Sequence, residues 1–241
     1  GVQTCALPIS KGISSFWNFP LIRLDMGKVF SGTVGSSEQN MRHVFKIIES
    51  IAPCILWCDE IDKGMSGSRN SGHTDGGTTS RVLGSWLTWM QEKTAPVFVV
   101  ATANDVTSLP PELLRKGRFD EIFFVDLPKL LERKTIFKIH LEKRNRNHSQ
   151  FNLELLADLS EEFTGAEIEA AIESALYEAF SDNKREITTS DIVKSLNESV
   201  PISRLMKEEI NFLRSWASER ARNASASNSE IKRYTSLEDE L

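Results

Sequence analysis

Along the first half of the chain, short apolar runs alternate with stretches whose apolar residues recur at helical spacing. That pattern predicts parallel strands flanked by helices. Pro20 to Asp25 is the first strand candidate. Gln39 to Ser50 places Met41, Val44, Phe45 and Ile48 on one helical face, and Pro53 closes it. Cys54 to Cys58 is apolar at every position, as suits a strand covered on both faces, and runs into Asp59-Glu60-Ile61-Asp62. Gly64 to Ser80, rich in Gly, Ser, Asn and Thr, predicts a loop. Arg81 to Lys93 returns to helix with Val82, Trp86, Leu87 and Met90 as its buried stripe. Val97 to Ala101 is a further buried strand ending near Asn104, and Ile122 to Val125 is another, ending before Pro128.

Beyond Pro128 the strand pattern stops. Lys129–Arg144, Leu153–Ser160, Gly165–Phe180 and Ser190–Asn197 predict a small all-helical domain. Thr164 and Glu167 form a capping box ahead of the stripe Ile168, Ile172, Ala175, Leu176 and Ala179. Pro201 to Ala221 predicts one more amphipathic helix, burying Leu205, Ile210, Leu213 and Trp216. The last twenty residues are charged and poor in apolar side chains, and predict a frayed tail.

Composition adds exclusions. No apolar run approaches the roughly 20 residues that span a bilayer, so no membrane is expected. The net charge of -5 gives no overall basic footprint for nucleic acid. Only Lys207, Arg214, Arg220 and Arg222 along the last helix would support a nucleic-acid remodeller, and such charges usually form a solvated face. Three cysteines, Cys5, Cys54 and Cys58, make no disulfide framework and point to a reducing compartment. Cys54 and Cys58 could be half of a metal site, but Cys58 lies inside an apolar run with no partner pair nearby. No secretory signal is present, so a cytosol-like compartment is expected. Gly1 to Ser10 read as one translated frame of a sequencing adapter, and are set aside from fold reasoning.

The candidate chemistry stands at the carboxyl ends of strands, where open α/β sheets bind ligands. Asp59-Glu60 follows the strand Ile55–Cys58; its first acid can hold Mg²⁺ and its second can polarise a water, since Mg²⁺ prefers oxygen ligands and keeps several waters. Alone, the pair also fits an acidic turn after a core strand. Asn104 can orient the attacking water or bind a γ-phosphate without adding charge, although Asn-Asp is also a common turn pair. Arg115 and Arg118 flank Gly117 and can present planar cations outward, toward a neighbouring subunit's phosphate; the alternative is a solvated basic loop.

Taken in order and spacing, these segments resemble the AAA family of ATPases. CILWCDEID resembles its Walker B strand, ATAND its sensor-1 segment, and PPELLRKGRFDEIFFVDLP its second region of homology with arginine fingers. FTGAEIEAAIESAL resembles the lid helix whose Gly-Ala pair lies near the nucleotide base, and Ile139-His140-Leu141 the lid position of a nucleoside-contacting histidine. The stretch SFWNFPLIRLDMGKVFSGTVGSSEQNMRHVF and the tail MKEEINFLRSWASERAR further resemble uncharacterised AAA proteins of algal plastid and cyanobacterial genomes.

The resemblance implies an α/β fold: a parallel P-loop-type sheet flanked by helices, then a C-terminal helical lid. The expected domains are a partial large subdomain over 11–128, the lid over 129–200 and an extension helix with tail over 201–241. It implies ATP and Mg²⁺ as cofactors, with Asp59 holding the metal through water, Glu60 as the base and Asn104 sensing the γ-phosphate. Arg115 and Arg118 would reach a neighbour's nucleotide, while His140, Gly165 and Ala166 line the nucleoside pocket. Arginines acting on a neighbour imply a homo-oligomeric ring, a hexamer by family analogy, acting on a protein substrate in a bacterial cytoplasm or plastid stroma. A non-catalytic AAA scaffold is the alternative.

Two departures qualify that picture. The family's Gly-rich phosphate loop, and the mid-sheet strand before it, would precede Lys11, where the adapter-like run stands. The chain as written is therefore expected to be inactive. In the family's pore-facing loop an aromatic residue precedes an apolar-Gly pair. Here Ser31-Gly32-Thr33-Val34-Gly35 puts Thr33 in that position, with Phe30 three residues away.

Overall fold

The computed structural model describes residues 3–25, 36–65, 76–115 and 117–225. The segment Ser31–Gly35 with its neighbour Phe30, the middle of the Gly64–Ser80 stretch and the end of the tail lie outside the described residues. The chain divides into two compact units, Val2–Glu121 and Ile122–Leu241, each described here by itself.

The first unit runs α1 (Gln3–Trp17), β1 (Leu21–Asp25), α2 (Ser36–Ile51), β2 (Cys54–Asp59), α3 (Ile61–Met65), α4 (Gly76–Glu92) and β3 (Val97–Ala101). Its three strands are parallel in the order β1-β2-β3, with Asp25 opposite Asp59 and Cys58 opposite Ala101. The central position of β2 accounts for its unbroken burial from Cys54 to Cys58, as its continuous apolar run predicts. Helix α1 packs against all three strands.

Helices α2 and α4 pack on each other through the two predicted stripes. Met41, Phe45 and Ile48 meet Val82, Trp86 and Met90 in one core, with Val44 and Leu87 at its margin. Phe45 stacks on Trp89 at a centroid distance of 4.4 Å, and the Trp89 indole N–H donates to Glu49 at 2.9 Å. That bond satisfies the polar edge of an otherwise apolar side chain.

Three expectations change. Helix α4 begins at Gly76, inside the stretch read as loop, and α2 begins at Ser36. Strand β3 is not buried on both faces: Phe98 is 43% exposed, with Trp17 edge-on to it at 4.9 Å. The reason is position, because among the described residues β3 has a partner strand only on its β2 side.

The second unit runs β4 (Phe123–Phe124), α5 (Leu130–Lys143), a 3₁₀ turn (His148–Gln150), α6 (Leu153–Leu159), α7 (Gly165–Ser181), α8 (Thr189–Glu198), α9 (Ile202–Leu205), α10 (Lys207–Arg220) and β5 (Arg222–Asn223). Strand β4, read as a longer strand over Ile122–Val125, is a two-residue strand pairing in parallel with β5. Helix α7 packs against α5 and α8. It buries Ile168, Ile172, Ala175 and Ala179 as its stripe predicts, with Leu176 partly covered. Its capping box is made: the Thr164 N–H donates to Glu167 at 2.8 Å and the Glu167 N–H donates to the Thr164 hydroxyl at 3.3 Å.

The predicted helix Pro201–Ala221 is instead two, broken at Met206, whose ψ of 31° and φ of -105° leave the helical region. The break turns Leu205 outward to 77% exposure, and Ser203 and Ala217 are buried instead. Ile210, Leu213 and Trp216 are only partly covered.

The start of α8 carries a pH-sensitive lock. Both Asp191 oxygens accept from the Arg185 guanidinium at 2.7 Å, and Oδ2 also accepts the Thr188 N–H and hydroxyl at 2.8 Å. Arg185, helped by the Thr188 donors, holds the Asp191 carboxyl well below the usual carboxylate range against the opposing effect of burial. A depressed carboxyl stabilises fully above the unfolded value of about 3.9 and loses that contribution as pH falls below it. The thermal midpoint of the helical signal should therefore fall more steeply below about pH 4 in the parent than in Asp191→Asn. Melts followed by circular dichroism between acid and neutral pH check this; parallel curves would show that Asp191 does not carry the effect.

Candidate functional site

Asp59 ends β2, and Glu60 follows it at a positive φ of 49°. A non-glycine residue in that region is uncommon and persists where its surroundings hold it. The hold comes from the end of β3. The Thr102 hydroxyl donates to Asp59 Oδ1 at 2.8 Å and accepts the Glu60 N–H at 3.0 Å. The Thr102 N–H donates to the Cys58 carbonyl at 3.0 Å, and its own carbonyl accepts from Ile61 at 2.9 Å.

Asn104, two residues on, donates from Nδ2 to Glu60 Oε1 at 3.3 Å. The structure thus brings together three of the predicted site residues: Asp59, Glu60 and Asn104. Asp62, buried, fixes the same corner by accepting the Asp105 N–H at 3.1 Å.

Two cations close on these acids. Arg23 of β1 lies over the Trp57 ring at 4.8 Å and stands 3.5 Å from Asp59 Oδ2. Lys63 of α3 forms an ion pair with Glu60 Oε1 at 2.5 Å. The Asp59 side chain is 11% exposed and that of Glu60 20%, whereas Lys63 reaches out to 65%.

Arg115 and Arg118 sit on the loop turned by Gly117, whose φ of 92° is a conformation that side chains with a Cβ rarely adopt. Arg115 is exposed, as an outward cation requires. Arg118 instead donates to the Glu112 carbonyl at 3.0 Å within its own loop. Among the described residues neither is part of an ion pair.

His140, Gly165 and Ala166 belong to the other unit. His140, on α5, places Nδ1 3.1 Å from Glu169 of α7, which also accepts from Arg144 at 3.1 Å. Burial pushes the His140 pKa down, against the raising effect of Glu169. Arg144 also stands 3.4 Å from the same Nδ1, so the tautomer decides whether that nitrogen meets Glu169 or Arg144. Gly165 opens α7, and a Cβ built there would make ordinary contact with the Ile136 side chain at 3.6 Å.

Sequence reasoning missed Thr102, Lys63, Arg23 and Glu169. Thr102 stood inside the segment ATAND, but its partners are more than 40 residues away, and only the β2–β3 register reveals them. The charges on Lys63, Arg23 and Glu169 carry no periodic signal.

Paired acids and an amide thus meet at the carboxyl ends of parallel strands, where open α/β sheets bind their ligands. Residues 8–127 match the ATPase family associated with various cellular activities (AAA), and residues 150–194 match the AAA+ lid domain. The chain belongs to the AAA family. It is 53% identical over 218 residues to the uncharacterized AAA domain-containing protein ycf46 of Pyropia yezoensis, covering 90% of this chain and 44% of that protein. The ycf46 protein of Guillardia theta is 51% identical over 87% of this chain and 41% of its own length. A proteasome-activating nucleotidase of Saccharolobus solfataricus is 31% identical over 79% of this chain and 49% of its own length. The chain thus spans less than half the length of these relatives.

Proposed function

We propose that the intact protein binds and hydrolyses Mg-ATP and uses the cycle to remodel a protein partner. The observation that carries this reading is the meeting of Asp59, Glu60 and Asn104 at the carboxyl end of the central strand, with Asn104 3.3 Å from Glu60 Oε1. The donor set fits a hard cation reached through water: Asp59 Oδ1 is engaged by Thr102, and Oδ2 stands 3.5 Å from Arg23. When bound, Mg²⁺ supplies charge neutralisation to the phosphate oxygens.

In this reading Asp59 would hold the metal through water, and Glu60, released from Lys63, takes the proton of the lytic water. Asn104 holds Glu60 and senses the terminal phosphate. Arg115 and Arg118 act on the nucleotide of a neighbouring subunit in a ring, a hexamer by analogy with the family. His140, Gly165 and Ala166 receive the nucleoside. We place the protein in a bacterial cytoplasm or a plastid stroma.

Two observations weaken the nucleic-acid alternative: Arg214 is held by Asp126 at 2.8–3.1 Å, and Arg220 pairs with Glu219 at 3.0 Å. The test is steady-state release of phosphate from Mg-ATP by the full-length protein. Turnover that disappears on chelating the metal supports the reading. Nucleotide binding without turnover would instead identify a scaffold.

A further inference from the structure

We propose that Thr102 is a positioning residue for hydrolysis, its single hydroxyl setting both the Asp59 carboxylate and the Glu60 backbone. The inference rests on the ATPase reading above, and deepens it.

A threonine hydroxyl has one hydrogen to give and lone pairs to receive. Here the hydrogen goes to Asp59 Oδ1 at 2.8 Å and a lone pair takes the Glu60 N–H at 3.0 Å. The direction is therefore fixed: Asp59 Oδ1 accepts, and Oδ2 stands 3.5 Å from Arg23. Among the described residues no other group accepts from the Glu60 N–H.

The same residue brackets the two acids through its backbone, giving its N–H to the Cys58 carbonyl at 3.0 Å and taking the Ile61 N–H at 2.9 Å. Four hydrogen bonds from one residue thus span Cys58 to Ile61, on either side of Glu60 at its φ of 49°. Branching at Cβ restricts the side chain to few rotamers, which keeps the hydroxyl aimed at both partners. Asn104 lies two residues further on and touches Glu60 Oε1 at 3.3 Å. Any shift of the Asn104 segment toward a phosphate is therefore passed through Thr102 to the metal-side acid and to the base together.

Thr102→Val keeps the shape and removes the hydroxyl, whereas Thr102→Ser keeps the hydroxyl. In the full-length protein without nucleotide, hydrogen–deuterium exchange over the peptide containing Cys58–Ile61 should be slow in the parent and in Ser. It should be about 10-fold faster or more in Val, as expected for loss of a hydrogen bond shared with a charged group. In turnover, Val should lower kcat by about 10-fold or more with KM for Mg-ATP nearly unchanged, and Ser should recover most of it.

Exchange in Val equal to that of the parent would overturn the proposal, as would a Ser variant that behaves like Val. If Val does not fold, Thr102→Ala supplies the hydroxyl-free arm of the same comparison. A parent that hydrolyses no ATP would sink the ATPase reading instead, and the exchange comparison would still decide whether the hydroxyl holds Glu60.

Discussion

Full-length protein carrying Glu60→Gln should bind Mg-ATP as the parent does and hydrolyse it about 10²–10⁴-fold more slowly. Gln keeps the length and planarity of the side chain, and its carbonyl oxygen can still accept from Asn104, which lies 3.3 Å from Glu60 Oε1. It tolerates the same backbone conformation, held by the bond from the residue 60 N–H to Thr102. The ion pair with Lys63 is lost, but Lys63 is largely exposed and the pair lies at the surface, where such contacts contribute little. What Gln cannot do is accept a proton from water, and the expected loss of rate corresponds to about 3–5 kcal/mol in the barrier. Phosphate release and nucleotide binding, measured on the same preparation, separate the two effects. Turnover within a few-fold of the parent would remove Glu60 from the role of base.

The ion pair with Lys63 gives the Glu60 carboxylate a resting partner. In the structure Glu60 Oε1 faces both Lys63 and Asn104, so its strongest acceptor position is engaged before any nucleotide arrives. Phosphates reaching Asn104 would compete for its amide, and the Lys63 ammonium, on a flexible stem, can turn to solvent.

How much of this was legible in the sequence depended on the range of each interaction. Strand β2 could be read because burial on both faces leaves an unbroken apolar run, and helix α7 because its stripe and capping box lie within one element. Strand β3 has the same composition as a buried strand, yet it lies half open with Phe98 exposed. Composition reports what a strand can bury, and its neighbours decide what it does bury.

Helix α1 over Gln3–Trp17 was not read because its first residues were set aside as foreign to the fold. The break at Met206 escaped because Leu205, Ile210, Leu213 and Trp216 keep helical spacing across it. At the site, Asp59, Glu60 and Asn104 were found through residue type and order. Thr102 was missed because its role is set by a register of parallel strands, and no local pattern encodes that register.

Replacing either arginine of the Gly117 loop should depress turnover far more than it changes nucleotide affinity, since a finger acts on the transition state of a neighbour's site. Where such arginines have been measured, they contribute about 10³–10⁵ in rate. The structure separates the two: Arg115 is exposed, while Arg118 is tied to the Glu112 carbonyl at 3.0 Å. Arg115→Ala should thus remove an exposed cation and leave the loop intact. Arg118→Ala also removes a bond that shapes the loop, and Arg118→Lys should not restore it, because a compact ammonium cannot reproduce the planar fork.

Mixing is the sharper test of action between subunits. A ring containing both Arg115→Ala and Glu60→Gln chains has some interfaces where an intact Glu60 meets an intact Arg115, so partial activity should return, although each variant alone is nearly inactive. Recovery should follow the mixing ratio and peak between the two pure preparations. Mixtures that demonstrably co-assemble yet regain no activity would show that Arg115 serves its own subunit or none.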